Sequence, residues 1–118
     1  DTLICSTGAL IYQSLMAAKE LEGKHNQKVA VINFHTIKPL DTETLFKYAA
    51  LADKIVTVEE HQIMGGFGSA VCEAISETIP KLVHRIGVKD KFGQSGTPAE
   101  LIKFYNMDTV DIVKAALK

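Results

Sequence analysis

"IVTVEEHQIMGGFGSAV", residues 55–71, passes from a β-branched apolar run through two carboxylates, a histidine and three glycines into a helical pattern. Beyond Gly65, Gly66 and Gly68, the apolar residues Val71, Ile75 and Ile79 recur every fourth position, and Pro80 stops the series. The segment reads as a strand, a tight turn and an amphipathic helix. The same alternation extends in both directions. Strand-like runs cover Thr2 to Ser6, Val29 to Phe34, Lys54 to Glu59 and Leu82 to Val88. After the first, Gly8 leads into Ile11, Leu15, Ala18 and Leu21, one apolar stripe of a helix for which Gly23 is a natural stop. After the second, Asp41 is placed to cap a helix carrying Leu45, Phe46, Ala49 and Ala52. Short strands separated by helices predict βαβ units, hence an α/β protein with a parallel sheet, right-handed crossovers and helices on both faces.

The tail changes character. In "SGTPAEL", residues 95–101, Thr97 reads as an N-cap, Pro98 as the first helical residue and Glu100 as the partner of a capping box. Asn106 ends that short helix. Val110, Val113 and Leu117 then carry a last one that begins near Asp108 or Thr109. No internal repeat, low-complexity segment or linker divides residues 1–118, so they read as one domain.

Composition narrows the function classes. The 118 residues are 47% hydrophobic, enough to bury a core without metal or disulfide staples. Thirteen Lys plus Arg against fourteen Asp plus Glu leave no basic stripe to follow a phosphate backbone, which argues against nucleic acid as a partner. Cys5 and Cys72 lie far apart, each in an apolar run and neither in a CxxC, and read as buried free thiols of a reducing compartment. No apolar stretch approaches the ~20 residues that span a bilayer, and no signal segment opens the chain, so a cytoplasmic protein without membrane association is expected. The start at Asp1, without Met and almost directly in a strand, reads as a piece of a longer chain.

The chemistry-bearing residues are sparse. His25, His35, His61 and His84 have no second ligand at zinc spacing. "TGALIYQS" lacks the Gly-x-Ser-x-Gly of a nucleophile elbow, and "GGFGSA" lacks the lysine of a phosphate-binding P-loop. Gly66 and Gly68 match the start of G-x-G-x-x-G, but Val71 stands where its last glycine belongs. The glycines are explained without a ligand if a strand must turn sharply into a helix there. Glu59, Glu60 and His61 stand at the carboxyl end of a parallel strand, where open α/β sheets bind ligands. Adjacent strand residues point to opposite faces, however, so the two carboxylates do not serve one site.

Three segments together carry a resemblance. "INFHTIKPLD", "IVTVEEHQIMGGFGSAV" and "RIGVKDKFGQSGTPAELIKFYNMD", in this order and spacing, resemble the C-terminal domain of transketolase-like, thiamine-diphosphate-dependent enzymes, above all the separately encoded C-terminal section of a split transketolase. The resemblance implies a three-layer α/β/α sandwich with strand order 2-1-3-4. The family's additional N-terminal antiparallel strand has no counterpart here, which leaves the second strand as an edge open to pairing with another chain. The order reverses between the first and third strands, so "STGAL" and "EEHQIMGGFG" flank the crevice. Ser6, Thr7, Gly8, Glu60, His61, Gly65, Gly66 and Gly68 are thereby the candidate crevice or interface residues, with His61 facing out and one glycine intolerant of a Cβ.

The resemblance implies no catalytic, cofactor or metal residue in this chain. In the family, thiamine diphosphate and magnesium lie between two other domains, and the Gly-Asp-Gly metal motif is absent from this sequence. The expected partners are the N-terminal and middle domains or subunit of a transketolase and, in a homo-oligomer, a second copy. Two relatives remain alternatives. The beta chains of two-oxoacid dehydrogenases resemble "TIKPLD" and the glycine turn but carry a proline-rich segment in place of "DKFGQSGTP". Deoxyxylulose-phosphate synthases resemble "IMGG" but often have asparagine at the His61 position, and use an arginine where "AELIKF" offers Lys103. A stand-alone module that takes a small anion in the crevice is the third alternative.

Overall fold

The computed structural model of the chain describes residues 1–34, 40–62, 66–78, 80–88, 102–103 and 107–118. Four strands, β1 (Thr2–Ser6), β2 (Val29–Asn33), β3 (Lys54–Gln62) and β4 (Leu82–Val88), alternate with α1 (Ile11–Lys24), α2 (Thr42–Ala49), α3 (Phe67–Thr78) and, at the end, α4 (Thr109–Leu117). All strand pairs are parallel, and the sheet order is β2-β1-β3-β4, as expected. Ser6 of β1 is level with Asn33 of β2 and Val58 of β3.

Strand alternation divides the core into two layers. Ile4, Val56, Val58 and Ile86 point to one face, where Leu10, Ala17, Ala18 and Leu21 meet Ile112, Val113, Ala115 and Ala116 of α4. Leu3, Cys5 and Ile55 point to the other, where they meet Leu45 and Ala49 of α2 and Phe67, Val71 and Ile75 of α3. Central β1 is buried at every position, whereas the edge strand β2 is only half-buried. The Phe34 and Phe67 rings, 5.3 Å apart and tilted, close the second layer near the carboxyl edge.

Local signals and packing agree unevenly. Asp41 caps α2 as expected: its Oδ1 accepts from the Thr44 amide at 3.1 Å, and the Thr44 hydroxyl donates to Oδ2 at 2.7 Å. These bonds hold the Asp41 carboxyl below its usual range. Asp108 caps α4 in a capping box with Asp111, which confirms the expected start. The expected helical faces need correction. Leu15, Val110 and Leu117 are exposed, and the buried stripe of α1 is Ser14, Ala17, Ala18 and Leu21. At 100° per residue this stripe is narrow, and Leu15 falls well to its side. Because α1 packs on both the sheet and α4, small side chains fill the contact and the Ser14 hydroxyl turns back to the Leu10 carbonyl at 3.0 Å. Gly23 does not stop α1 either. The helix runs to Lys24, and Asn26, at φ 53°, takes the left-handed position that returns the His25 and Gln27 amides to the Leu21 carbonyl. The Thr97–Pro98–Glu100 helix start and Ile79 lie outside the described residues; Ile102 and Lys103 are helical.

Both thiols are free, but only Cys5 is buried, and Cys72 is half-exposed to solvent. Burial pushes the Cys5 thiol up to about 12. Burial also raises the Cys72 thiol, with the nearby Arg85 guanidinium working against it. In the native chain at pH 8, a maleimide is therefore expected to modify Cys72 slowly and Cys5 only after denaturant is added; rapid labelling of Cys5 in the native state would contradict this core.

Candidate functional site

The order reversal between β1 and β3 places the candidate crevice at the carboxyl edge of the sheet. On its β1 side the chain turns at once. The Thr7 amide donates to the Val58 carbonyl at 3.1 Å, and Gly8 adopts φ 71°, which a residue with a Cβ takes up only with strain. Gly8–Leu10 then form a 3-10 turn that runs into α1. Ser6 is fully buried, with its carbonyl accepting from the Phe34 amide at 2.8 Å. Its hydroxyl finds no partner among the described residues. Of these three candidates, only Thr7 and Gly8 reach solvent.

On the β3 side the strand continues to Gln62 rather than stopping at Glu59. A register irregularity between Val58 and Gln62 lets the ladder with β4 resume at Gln62 and Val88. Glu60 and His61 are therefore strand residues that stand beyond the level of Ser6, not members of the loop. Their side chains, and Gly65 as a whole, lie outside the described residues. Gly66 is half-buried just before α3, and Gly68 is buried inside its first turn.

The residue that organises this corner is Glu59, which the sequence reading weighed beside Glu60 and His61 but left out of the candidate crevice residues. It is 1% exposed. Its Oε1 accepts from the Phe67 amide at 3.0 Å and its Oε2 from the Gly68 amide at 2.6 Å. Two amides of the α3 first turn, which have no partner within the helix, thus end on one buried carboxylate, and the charge faces the positive end of the helix dipole. The signal was available: Ile55, Thr57 and Glu59 share one face by strand period, and that face is the one α3 covers. Gly68 allows the approach. A Cβ there would stand 2.8 Å from Thr57 Oγ1, 2.9 Å from Glu59 Oε2 and 3.2 Å from Arg85 Cδ. Among the described residues Gly68 is a demanding glycine, and what it requires is space rather than a positive φ.

The chemistry of this edge is that of a shaped rim. Among the described residues no three His, Cys, Asp or Glu gather as a metal site requires. A pocket of about 290 Å³ opens at the opposite edge of the sheet, among Thr2, Leu3, Ala30, Tyr48 and Leu51, and touches none of the candidate residues. No described helix is long and apolar enough to cross a membrane.

Comparison with known proteins bears on the family and the fold. Residues 1–112 match the family model described as "Transketolase, C-terminal domain". The chain belongs to the transketolase C-terminal domain family. It is 36% identical to the 6-deoxy-6-sulfo-D-fructose transketolase subunit of Clostridium sp. (strain MSTE9), over 98% of this chain and 36% of that one. It is 41% identical to a 1-deoxy-D-xylulose-5-phosphate synthase of Polaromonas sp. (strain JS666), over 97% of this chain and 17% of the synthase. Among solved structures, a split-gene transketolase described as an inactive beta4 tetramer superposes with a TM-score of 0.93 at 39% identity, over 99% of this chain and 38% of that one. The chain thus spans little more than a third of these transketolase relatives, which are subunits of larger transketolase-like proteins.

Proposed function

We propose that this chain is the non-catalytic C-terminal domain of a cytoplasmic transketolase, an enzyme that transfers a two-carbon ketol unit between sugar phosphates, and that it serves subunit assembly and domain packing. One observation carries the reading: the family match runs through residues 1–112, while the chain spans only 36% of a transketolase subunit and 38% of a split-gene transketolase. The thiamine diphosphate and magnesium of the complete enzyme are held by the remaining domains. The carboxyl rim, from Gly8 across Glu60 and His61 to the α3 first turn, is the surface that meets those domains or a second copy.

The test is reconstitution. Ketol transfer between sugar phosphates is expected when the chain is combined with the domains or subunit that precede it in the whole enzyme, and not from the chain alone. Full activity without this chain would overturn the reading. Calorimetry with thiamine diphosphate and magnesium is expected to show no micromolar binding to the chain by itself; a micromolar isotherm would place cofactor chemistry here. His61→Ala is expected to leave urea unfolding of the chain within ~0.5 kcal/mol of the parent, as at a surface position, while weakening association or activity in the complete enzyme. A larger stability loss would mark His61 as a core residue and remove it from the rim.

The 41% identity to a 1-deoxy-D-xylulose-5-phosphate synthase favours one second reading, in which the same domain completes such a synthase. Assaying the complete enzyme for formation of 1-deoxy-D-xylulose 5-phosphate distinguishes the two.

A further inference from the structure

Two neighbouring strands reach the first turn of α3 from beneath. From β3, the buried Glu59 carboxylate accepts from the Phe67 and Gly68 amides at 3.0 and 2.6 Å. From β4, Arg85, level with Thr57 in the sheet, brings its Cδ to 3.2 Å from where a Gly68 Cβ would stand, and its Nη1 donates a long hydrogen bond to Ser69 Oγ at 3.5 Å. The carboxylate lies eight and nine residues upstream of the amides that it holds, so it ties β3 to the start of α3.

We propose that Glu59, assisted by Arg85, is a positioning residue: it fixes the first turn of α3 against the sheet and so sets the shape of the rim through which the domain meets its neighbour. The proposal rests on the assembly reading above and assigns the control of that surface to a buried group. A carboxylate suits the task because it offers an acceptor oxygen to each of two adjacent donors, and ionised acceptors make the stronger bonds. Glutamine has nearly the same shape but presents one oxygen and one N–H donor, so one helix amide would face a donor and lose its partner. The sheet ladders and the α1–α4 layer are built from residues on other faces and elements.

The experiment is amide hydrogen exchange on the chain and on the complete enzyme for Glu59→Gln, with Glu60→Gln as a neighbouring control. Exchange at Phe67 to Ala70 is expected to rise at least tenfold in Glu59→Gln while Ile4 and Val56 keep their protection. The affinity of the domain for the rest of the enzyme is expected to fall about tenfold in parallel. Unchanged exchange at Phe67 to Ala70 would overturn the proposal. So would loss of protection throughout β1 and β3, which would make Glu59 a general core residue. Local loosening with unchanged affinity would overturn the link to the rim, and reconstituted activity would still show whether the assembly reading stands. If Glu59→Gln does not fold, Arg85→Lys decides: it is expected to loosen the same amides by a smaller factor, and no change there would reject the clamp.

Discussion

Gly68→Ala is expected to lower the unfolding free energy of the chain by about 1–3 kcal/mol, the range for forcing an extra carbon into a packed interior. The new Cβ would stand 2.8 Å from Thr57 Oγ1 and 2.9 Å from Glu59 Oε2, closer than a carbon and an oxygen pack. Neither neighbour yields easily. Thr57 is fully buried in central β3, and the Glu59 carboxylate is held by the two helix amides. Relief requires moving α3 away from the sheet, which lengthens the bonds to Phe67 and Gly68. Gly23→Ala is the matched control. It too lies in a helix, but no atom outside its own helix lies within 4 Å of the added carbon, so the substitution is expected to stabilise by about 0.5–1 kcal/mol. Urea unfolding of the two variants beside the parent should move the midpoint in opposite directions. A Gly68→Ala midpoint equal to that of the parent would mean that α3 does not approach β3 this closely.

Glu59→Ala is expected to cost about 2–6 kcal/mol, because it strands two helix amides in a site closed to water at about 1–3 kcal/mol each, with a cavity left as well. Phe67, the largest fully buried side chain among the described residues, adjoins the stranded amides, so disorder should spread first into the layer that Phe67 forms with Phe34. Urea unfolding again gives the number, and near-ultraviolet circular dichroism reports the aromatic layer. A loss under ~0.5 kcal/mol would place Glu59 among ordinary surface carboxylates and contradict its burial.

The edge of the sheet at which the candidate residues gather was legible in the sequence, and their burial and bonding partners were not. Strand alternation and the reversal of strand order brought "STGAL" and the glycine turn together at one edge. Ser6 nevertheless turned out to be fully buried, and Glu59, passed over in favour of Glu60, became the organising group. In the sequence the two glutamates are adjacent and chemically identical. Which of them is tied depends on where α3 crosses, and that is a property of the packed sandwich. The same limit explains the helices. Ala17, Ala18, Ala115 and Ala116 line the α1–α4 contact in place of the larger Leu15 and Leu117, because closeness of approach rather than hydrophobicity chose the buried arc.

What the amino-acid sequence determined by itself is everything set within a few residues along the chain. The strand runs follow from apolar period and β-branching, and the caps at Asp41 and Asp108 from side chains short enough to reach their own helix amides. The parallel order follows from the family resemblance of the segments. What only the tertiary structure decided are the meetings of residues that are distant in sequence or separated by a turn. These are the capture of the α3 first turn by Glu59, the demand for bare space at Gly68, and the burial of Ser6. Each depends on the distance between layers to a fraction of an ångström, which local propensity does not encode and side-chain packing does.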